Sequence, residues 1–288
     1  MFGKLIGFSL SKSSKGGVYT ETIVPFSQES YGKADIEVSG TFVANDIASV
    51  LTITITNYYP SQSLMTGREF YKCRLQLGYM DGPNTISYIE GEVKNVYTQY
   101  TGVDSKTVIE INNGVWMNAY GKEVDIRANK GETFASVLRQ FALAIGYNLI
   151  DNSKGSVLNS SFSYTGNLVD GLMRIKDLAD QNGLYISVQT PAIYLYKKGE
   201  GTGKRHRINM VSSPIRIFDG GCDVRIPYNP KIHVGDTILI EPKFFINTSG
   251  VFVTKIIQSY GIYQIDFGFS TTGDTNYMSL RGYSIENL

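Results

Sequence analysis

In Leu51-Thr52-Ile53-Thr54-Ile55-Thr56 the chain alternates apolar and hydroxyl side chains without a break. Successive side chains of a strand point to opposite faces, so this spacing predicts an antiparallel strand with one face in a core and the other on a polar surface. The pattern recurs from Ile36 to about Ile126. Cys73, Leu75, Leu77 and Tyr79 alternate with Lys72, Arg74 and Gln76, and Asp81-Gly82-Pro83-Asn84 supplies a turn before a strand that begins near Ile86, which predicts a hairpin. Ile89 to Val96 and Val108 to Ile111 continue the meander, with Gly91 placed where a bulge would bend the wall. Strands this short and regular suit a barrel, and residues 1–126 are read as a first β-barrel domain.

The period then changes. Phe134, Val137, Leu138, Phe141, Ala142 and Ile145 recur at helical spacing, opened by Thr133 and stopped by Gly146. Arg139 is the only charged residue of this helix, which predicts cover on more than one side. Leu168, Leu172, Ile175 and Ala179 form a second helical stripe ended by Gly183, with Asp170 and Arg174 at a supporting i,i+4 spacing. Each helix is followed by a short apolar strand, Tyr147 to Ile150 and Leu184 to Val188, and the second strand returns through Thr190-Pro191 as Ala192 to Tyr196. Residues 127–200 are thus a small two-helix α/β insert. Lys197 to Arg207, glycine-rich and basic, reads as an exposed linker. After it come six predicted strands, Ile215 to Phe218, Val224 to Ile226, Thr237 to Ile240, Val251 to Ile257, Ile262 to Phe269 and Tyr277 to Tyr283. They fit a second barrel over 201–288, in a fold that is mainly β.

Composition narrows the function. With 27 Lys plus Arg against 26 Asp plus Glu, the net charge of +1 offers no field that would draw the chain onto nucleic acid or anionic lipid. Cys73 and Cys222 lie far apart with no CxxC spacing, which argues against a disulfide scaffold, a zinc site or a redox pair. No apolar stretch approaches the roughly 20 residues of a membrane span, so the expectation is a soluble chain of a reducing cytoplasm, without membrane insertion. The sequons at Asn159 and Asn247 then carry no glycan.

Candidate chemistry is sparse, and each candidate has a plainer reading. A phosphate loop needs G-x-x-x-x-G-K-[ST], but Lys198 stands where the first Gly belongs and Arg205 where Ser or Thr belongs. Lys204, Arg205, His206 and Arg207 fit a solvated loop better than a phosphate contact. His206 and His233 are the two histidines, neither near a nucleophile signature, and both read as surface or turn residues. Glu90 and Glu92 would project from one strand face roughly 6 to 7 Å apart, as a glycosidase pair could, yet paired carboxylates on a solvated or pore-lining face are the simpler account. Trp116 reads as core. The clusters Tyr58-Tyr59, Tyr97 to Tyr100 and Tyr260 to Tyr263 are half-buried strand positions that also suit interfaces. No catalytic, cofactor-binding or metal-binding residue is assigned, and no cofactor is expected.

In Asn229-Pro230-Lys231-Ile232-His233-Val234-Gly235-Asp236-Thr237-Ile238-Leu239-Ile240, two turns lead into a strand. Together with Gly91-Glu92-Val93-Lys94-Asn95-Val96, Thr133-Phe134-Ala135-Ser136-Val137-Leu138, Gly183-Leu184-Tyr185-Ile186, Ser212-Ser213-Pro214-Ile215 and Gly250 to Val253, this passage resembles the baseplate hub family of contractile phage tails. That family takes in the late-control proteins of Mu-like phages and their relatives in bacterial injection machines. Residues 1–35 carry none of the resemblance. The resemblance implies two tail-tube-like barrels flanking the insert, and a homotrimeric ring that adapts a sixfold tube to a threefold spike and forms part of the DNA conduit. The implied partners are the tail tube protein, the central spike, other baseplate subunits, the tape measure protein and DNA in passage, and the implied location is the virion, after assembly in the host cytoplasm. A tube or distal-tail protein, a cell-wall glycan hydrolase and a carbohydrate-binding module are the competing readings.

Overall fold

The computed structural model describes residues 4–14, 17–24, 35–59, 71–79, 87–114, 121–189, 191–208, 215–218, 221–241, 244–247, 250–253, 257–272 and 276–285. Trp116 and the Asp81 to Asn84 turn lie outside them. Strands β1 (Lys4–Ser14), β2 (Gly17–Val24), β3 (Ile36–Val43), β4 (Ala48–Thr56), β5 (Tyr71–Tyr79), β6 (Ser87–Thr101) and β7 (Asp104–Gly114) make the N-terminal half. All pair antiparallel in the order β3-β4-β7-β6-β5-β1-β2, so the period-2 reading holds, and the segment before residue 36 supplies two further strands. The bulge in β6 falls between Val93 and Asn95, not at Gly91. Gly91 is regularly paired, and a Cβ there would lie 2.6 Å from the Asn112 carbonyl oxygen, so the glycine permits close strand approach.

β8 (Glu123–Ala128) leads into the helical segment. Helix α1 (Phe134–Ile145) follows, then β9 (Asn148–Asn152), β10 (Phe162–Asn167), α2 (Leu168–Gln181), β11 (Leu184–Gln189) and β12 (Ala192–Lys197). Thr133 caps α1, its hydroxyl accepting the Ser136 N–H at 3.1 Å, and Gly146 closes it at φ 76, a left-handed conformation that favours glycine. Phe134, Leu138 and Phe141 of α1 and Leu168, Leu172 and Ile175 of α2 form a core with Ile186, Ile193 and Leu195, separate from that of the large sheet. α1 is covered on one side only, because Arg139, Gln140 and Leu143 are exposed. Arg174 lies 5.1 Å over the Tyr164 ring.

The C-terminal half contains β13 (Arg205–Ile208), β14 (Ile215–Phe218), β15 (Gly221–Pro227), β16 (Thr237–Ile240), β17 (Phe244–Asn247), β18 (Gly250–Val253), β19 (Gln258–Ser270) and β20 (Asn276–Ser284). β13 lies in the stretch whose composition reads as linker. It forms a strand because it pairs in parallel with β16, Arg205 against Thr237 and Ile208 against Ile240. β19 joins the halves. Gln258 to Gly261 pair with β16, and Gln264 to Ser270 pair with β3, so 15 strands form one hydrogen-bonded sheet. Its buried face carries a single cluster that includes Phe8, Ile53, Leu75 and Ile109 from one half and Val224, Ile238, Phe269 and Leu280 from the other. Among the described residues no helix is long and apolar enough to cross a membrane.

Candidate functional site

Directly paired residues share a face, so register alone maps the side of the sheet turned away from the core. One row runs Arg225, Ser279, Asp266, Thr41 across β15, β20, β19 and β3. A second runs Ser39, Thr52, Glu110, Asn95 and a third Val50, Asn112, Glu92, Lys72, Ser11, reaching β1. Threonine, serine, asparagine and glutamine dominate, and acidic and basic groups are interspersed. Thr41 donates to Asp266 at 2.7 Å, Gln264 donates to Asp266 at 3.0 Å, and Arg281 donates to Gln264 at 3.4 Å while lying 3.7 Å from Asp223. Arg225 sits 3.5 Å over the Tyr277 ring. Glu90 lies 3.8 Å from Arg74, and Glu92 stands opposite Lys72. Burial pushes the Glu92 carboxyl up, the reverse of what a concentrated positive field would do. The two carboxylates therefore belong to a charge-balanced face that continues across the β19 to β3 seam.

The tyrosine clusters divide. Tyr59 and Tyr100 are exposed with Val103 at one end of the N-terminal half, where Asn57 donates to Asp104 at 3.1 Å. Tyr260 is buried, and Tyr263 stacks on Tyr283 with centroids 6.5 Å apart. Cys73 and Cys222 are core residues of β5 and β15. Burial pushes the Cys222 thiol up to about 12 and Cys73 higher still, which leaves both as apolar packing groups rather than nucleophiles.

A second constellation lies where the insert meets the C-terminal half. The turn before β16 places Asp236 in the interior at 0% exposure. Thr202 Oγ1 donates to its Oδ1, while His206 Nε2 at 2.8 Å and the His233 N–H at 3.0 Å donate to Oδ2. His233 Nδ1 lies 3.0 Å from the Lys231 carbonyl oxygen and 3.8 Å from Oδ2. Both histidines of the chain therefore converge on one carboxylate. The basic loop is not a free linker: Lys198, Lys204, Arg205 and Arg207 are exposed as expected, but Gly201 and Thr202 are buried, and the Thr202 N–H donates to Gly235 O at 2.7 Å. Gly201 has φ 65, and a Cβ there would lie 2.1 Å from that carbonyl oxygen, so the loop can close only with glycine. Asn152 Nδ2 donates to Thr202 O at 2.7 Å and Gln189 Nε2 to Val234 O at 3.1 Å, which pins β9 and β11 of the insert to the turn. On its other side the insert is held by the Val188 N–H on Asp46 O and by Tyr147 on Gly114 O, each at 3.0 Å. The sequence signalled Asp236 only as a turn residue, because no local pattern says which turn will be buried.

Burial works to raise the pKa of Asp236, but the hydrogen bonds from His206, His233 and Thr202 outweigh it and hold the carboxyl well below the usual range. A depressed carboxyl stabilises the fold above its unfolded pKa of about 4, and that contribution is lost as pH falls toward the folded value. The stability gap between the native chain and Asp236→Asn is therefore expected to be largest near neutrality and to narrow progressively below about pH 4. Denaturation midpoints of the two proteins compared across pH check this; a constant gap would refute it.

No protein-family model matches the chain, and no curated protein matches its sequence. Solved structures do match its fold. The 43 kDa tail protein of prophage MuSo2 from Shewanella oneidensis superposes with a TM-score of 0.55 at 10% identity, over 99% of this chain and 98% of that one. The tail protein from Neisseria meningitidis MC58 gives 0.54 at 8% identity, over 96% and 97%. An E. coli component of the type VI secretion system, described as structurally similar to the T4 bacteriophage tail proteins gp27 and gp5, gives 0.57 at 9% identity, over 87% and 74%. The chain thus shares the fold of these phage tail proteins over nearly its whole length.

Proposed function

We propose that this chain is a structural baseplate hub of a contractile phage tail. In this reading residues 1–126 and 201–288 act as two tube-like barrel units and 127–200 as the insert between them. Three copies then close a ring that presents six barrel units to the tube above and threefold symmetry to the spike below. The observation that carries the proposal is the polar face that runs unbroken from β15 to β1, rich in hydroxyl and amide groups and with acidic and basic groups interspersed. Turned to a lumen, such a wall lets a polyanion slide, because an even charge balance gives phosphates nothing to condense on. The full-length fold likeness to tail proteins supports the same reading. The partners in it are the tail tube protein, the central spike, other baseplate subunits and the tape measure protein, with DNA passing through. Catalysis has no part in it, because Glu90 and Glu92 are matched by Arg74 and Lys72 in the register.

Native mass measurement and images of the purified protein test the proposal. A trimeric ring with a central hole is the expected result. A hexamer would favour a tube or distal-tail protein, and a stable monomer at high concentration would overturn the hub. The lumen assignment is tested separately by Thr41→Lys, Thr52→Lys and Thr54→Lys combined. The native ring is expected to show no salt-dependent affinity for duplex DNA. The triple variant should gain binding that weakens steeply between about 50 and 200 mM salt, as binding through phosphate contacts does. If the triple variant leaves DNA binding unchanged, this face does not line the conduit.

A further inference from the structure

A cavity of about 330 Å³ opens beside the Asn229 to Val234 turn, at the meeting point of both halves and the insert. That volume lies at the lower end of ordinary small-ligand sites. Its floor is the inner face of the sheet, where Phe42 and Phe267 stack with centroids 5.5 Å apart and Tyr228 tilts against Phe267 at 5.7 Å. Pro191, Ala192 and Tyr194 of the insert form the opposite wall. Among the described residues that line it there is no Asp, Glu, Lys or Arg; Asn113, Gln189, Asn229 and His233 line it as well, and Gln189 Nε2, Asn229 Oδ1 and His233 Nδ1 already meet Val234 O, the Lys231 N–H and Lys231 O.

Tyr194 presents a hydroxyl to the cavity. The residue is 7% exposed, and among the described residues nothing hydrogen-bonds its hydroxyl. The hydroxyl oxygen itself is open to the cavity, so a matching group there can take the place of water on it. Burial also pushes its pKa up, which keeps it a neutral donor and acceptor at working pH. Aromatic walls, a lining without Asp, Glu, Lys or Arg among the described residues, and an open phenol hydroxyl together suit a flat apolar body with a hydrogen-bonding substituent.

We propose that this cavity binds an uncharged aromatic ring of the phenol class, its substituent paired with the Tyr194 hydroxyl. Two sources share that chemistry, a free small aromatic and a tyrosine side chain of a partner polypeptide. The test uses the full chain, with p-cresol and N-acetyl-L-tyrosinamide as probes followed by saturation-transfer NMR. Saturable binding is expected, weakened about threefold to tenfold by Tyr194→Phe, the loss of one neutral hydrogen bond. The Tyr194→Phe melting temperature should stay at the native value, because no protein contact is removed. Ala192→Leu, which adds volume to the wall, should abolish binding. Tighter binding of N-acetyl-L-tyrosinamide than of p-cresol supports a polypeptide source, and equal or weaker binding a free ligand. Lack of saturable binding of either probe overturns the proposal, as does unchanged affinity in a folded Tyr194→Phe or Ala192→Leu protein.

Discussion

Asp236→Ala is expected to cost about 3 to 5 kcal/mol, a loss of roughly 10 °C in the thermal midpoint. The carboxylate is the common acceptor for Thr202, His206 and the His233 N–H, and its removal deprives all three donors of their acceptor, with only the imidazole in reach of water. Asp236→Asn should cost nearly as much, because the amide turns a donor toward donors. His206→Ala should cost less, about 1 kcal/mol, since the imidazole is 20% exposed and the water that reaches it can replace part of the bond. That order is the informative part. If His206→Ala proves as damaging as Asp236→Ala, the joint is held by the histidine's packing and not by the carboxylate.

Phe267→Ala should cost about 3 to 5 kcal/mol as a buried aromatic truncation. The ring sits in the seam where β19 meets β3, opposite Gly40, stacked on Phe42 and 4% exposed. A Cβ at Gly40 would lie 2.2 Å from Leu51 Cδ2 and 3.0 Å from the Phe267 ring, so these two side chains together fill the space that this glycine leaves. Because one core runs through both halves of the sheet, the damage is expected to lower a single unfolding transition in calorimetry. Two transitions, only one of which moves, would show that residues 1–126 and 201–288 unfold independently in spite of the shared strand. Thr52→Ala, on the polar face of β4, is the control and should stay within about 0.5 kcal/mol of the native chain.

These two substitutions lie where the sequence was least legible. The alternation in Leu51 to Thr56, the Thr133 and Gly146 signals around α1 and the strand at Thr237 to Ile240 were all readable, because each depends on neighbours within a few residues. The polar face was half readable: period 2 marked which side chains leave the core, but not that β19 would carry the same face from one half into the other. Lys197 to Arg207 reads as free linker because its glycines and cations suggest solvent. In the fold, Gly201 is the one residue type that fits under the Gly235 carbonyl, and β13 becomes a strand only in the presence of β16. His206 and His233 looked unrelated at a separation of 27 residues, and Asp236 looked like punctuation.

The sequence alone thus determined the periodic elements, the identity of their buried faces and the near-neutral charge balance, since local spacing and composition fix those quantities. Tertiary structure decided the continuity of the sheet through β3 and β19, the burial of Asp236 between two distant histidines, and the cavity beside Tyr194. Each of those arises from contacts between residues far apart in the chain. Their free energy depends on which groups lose water together, and no local pattern records that.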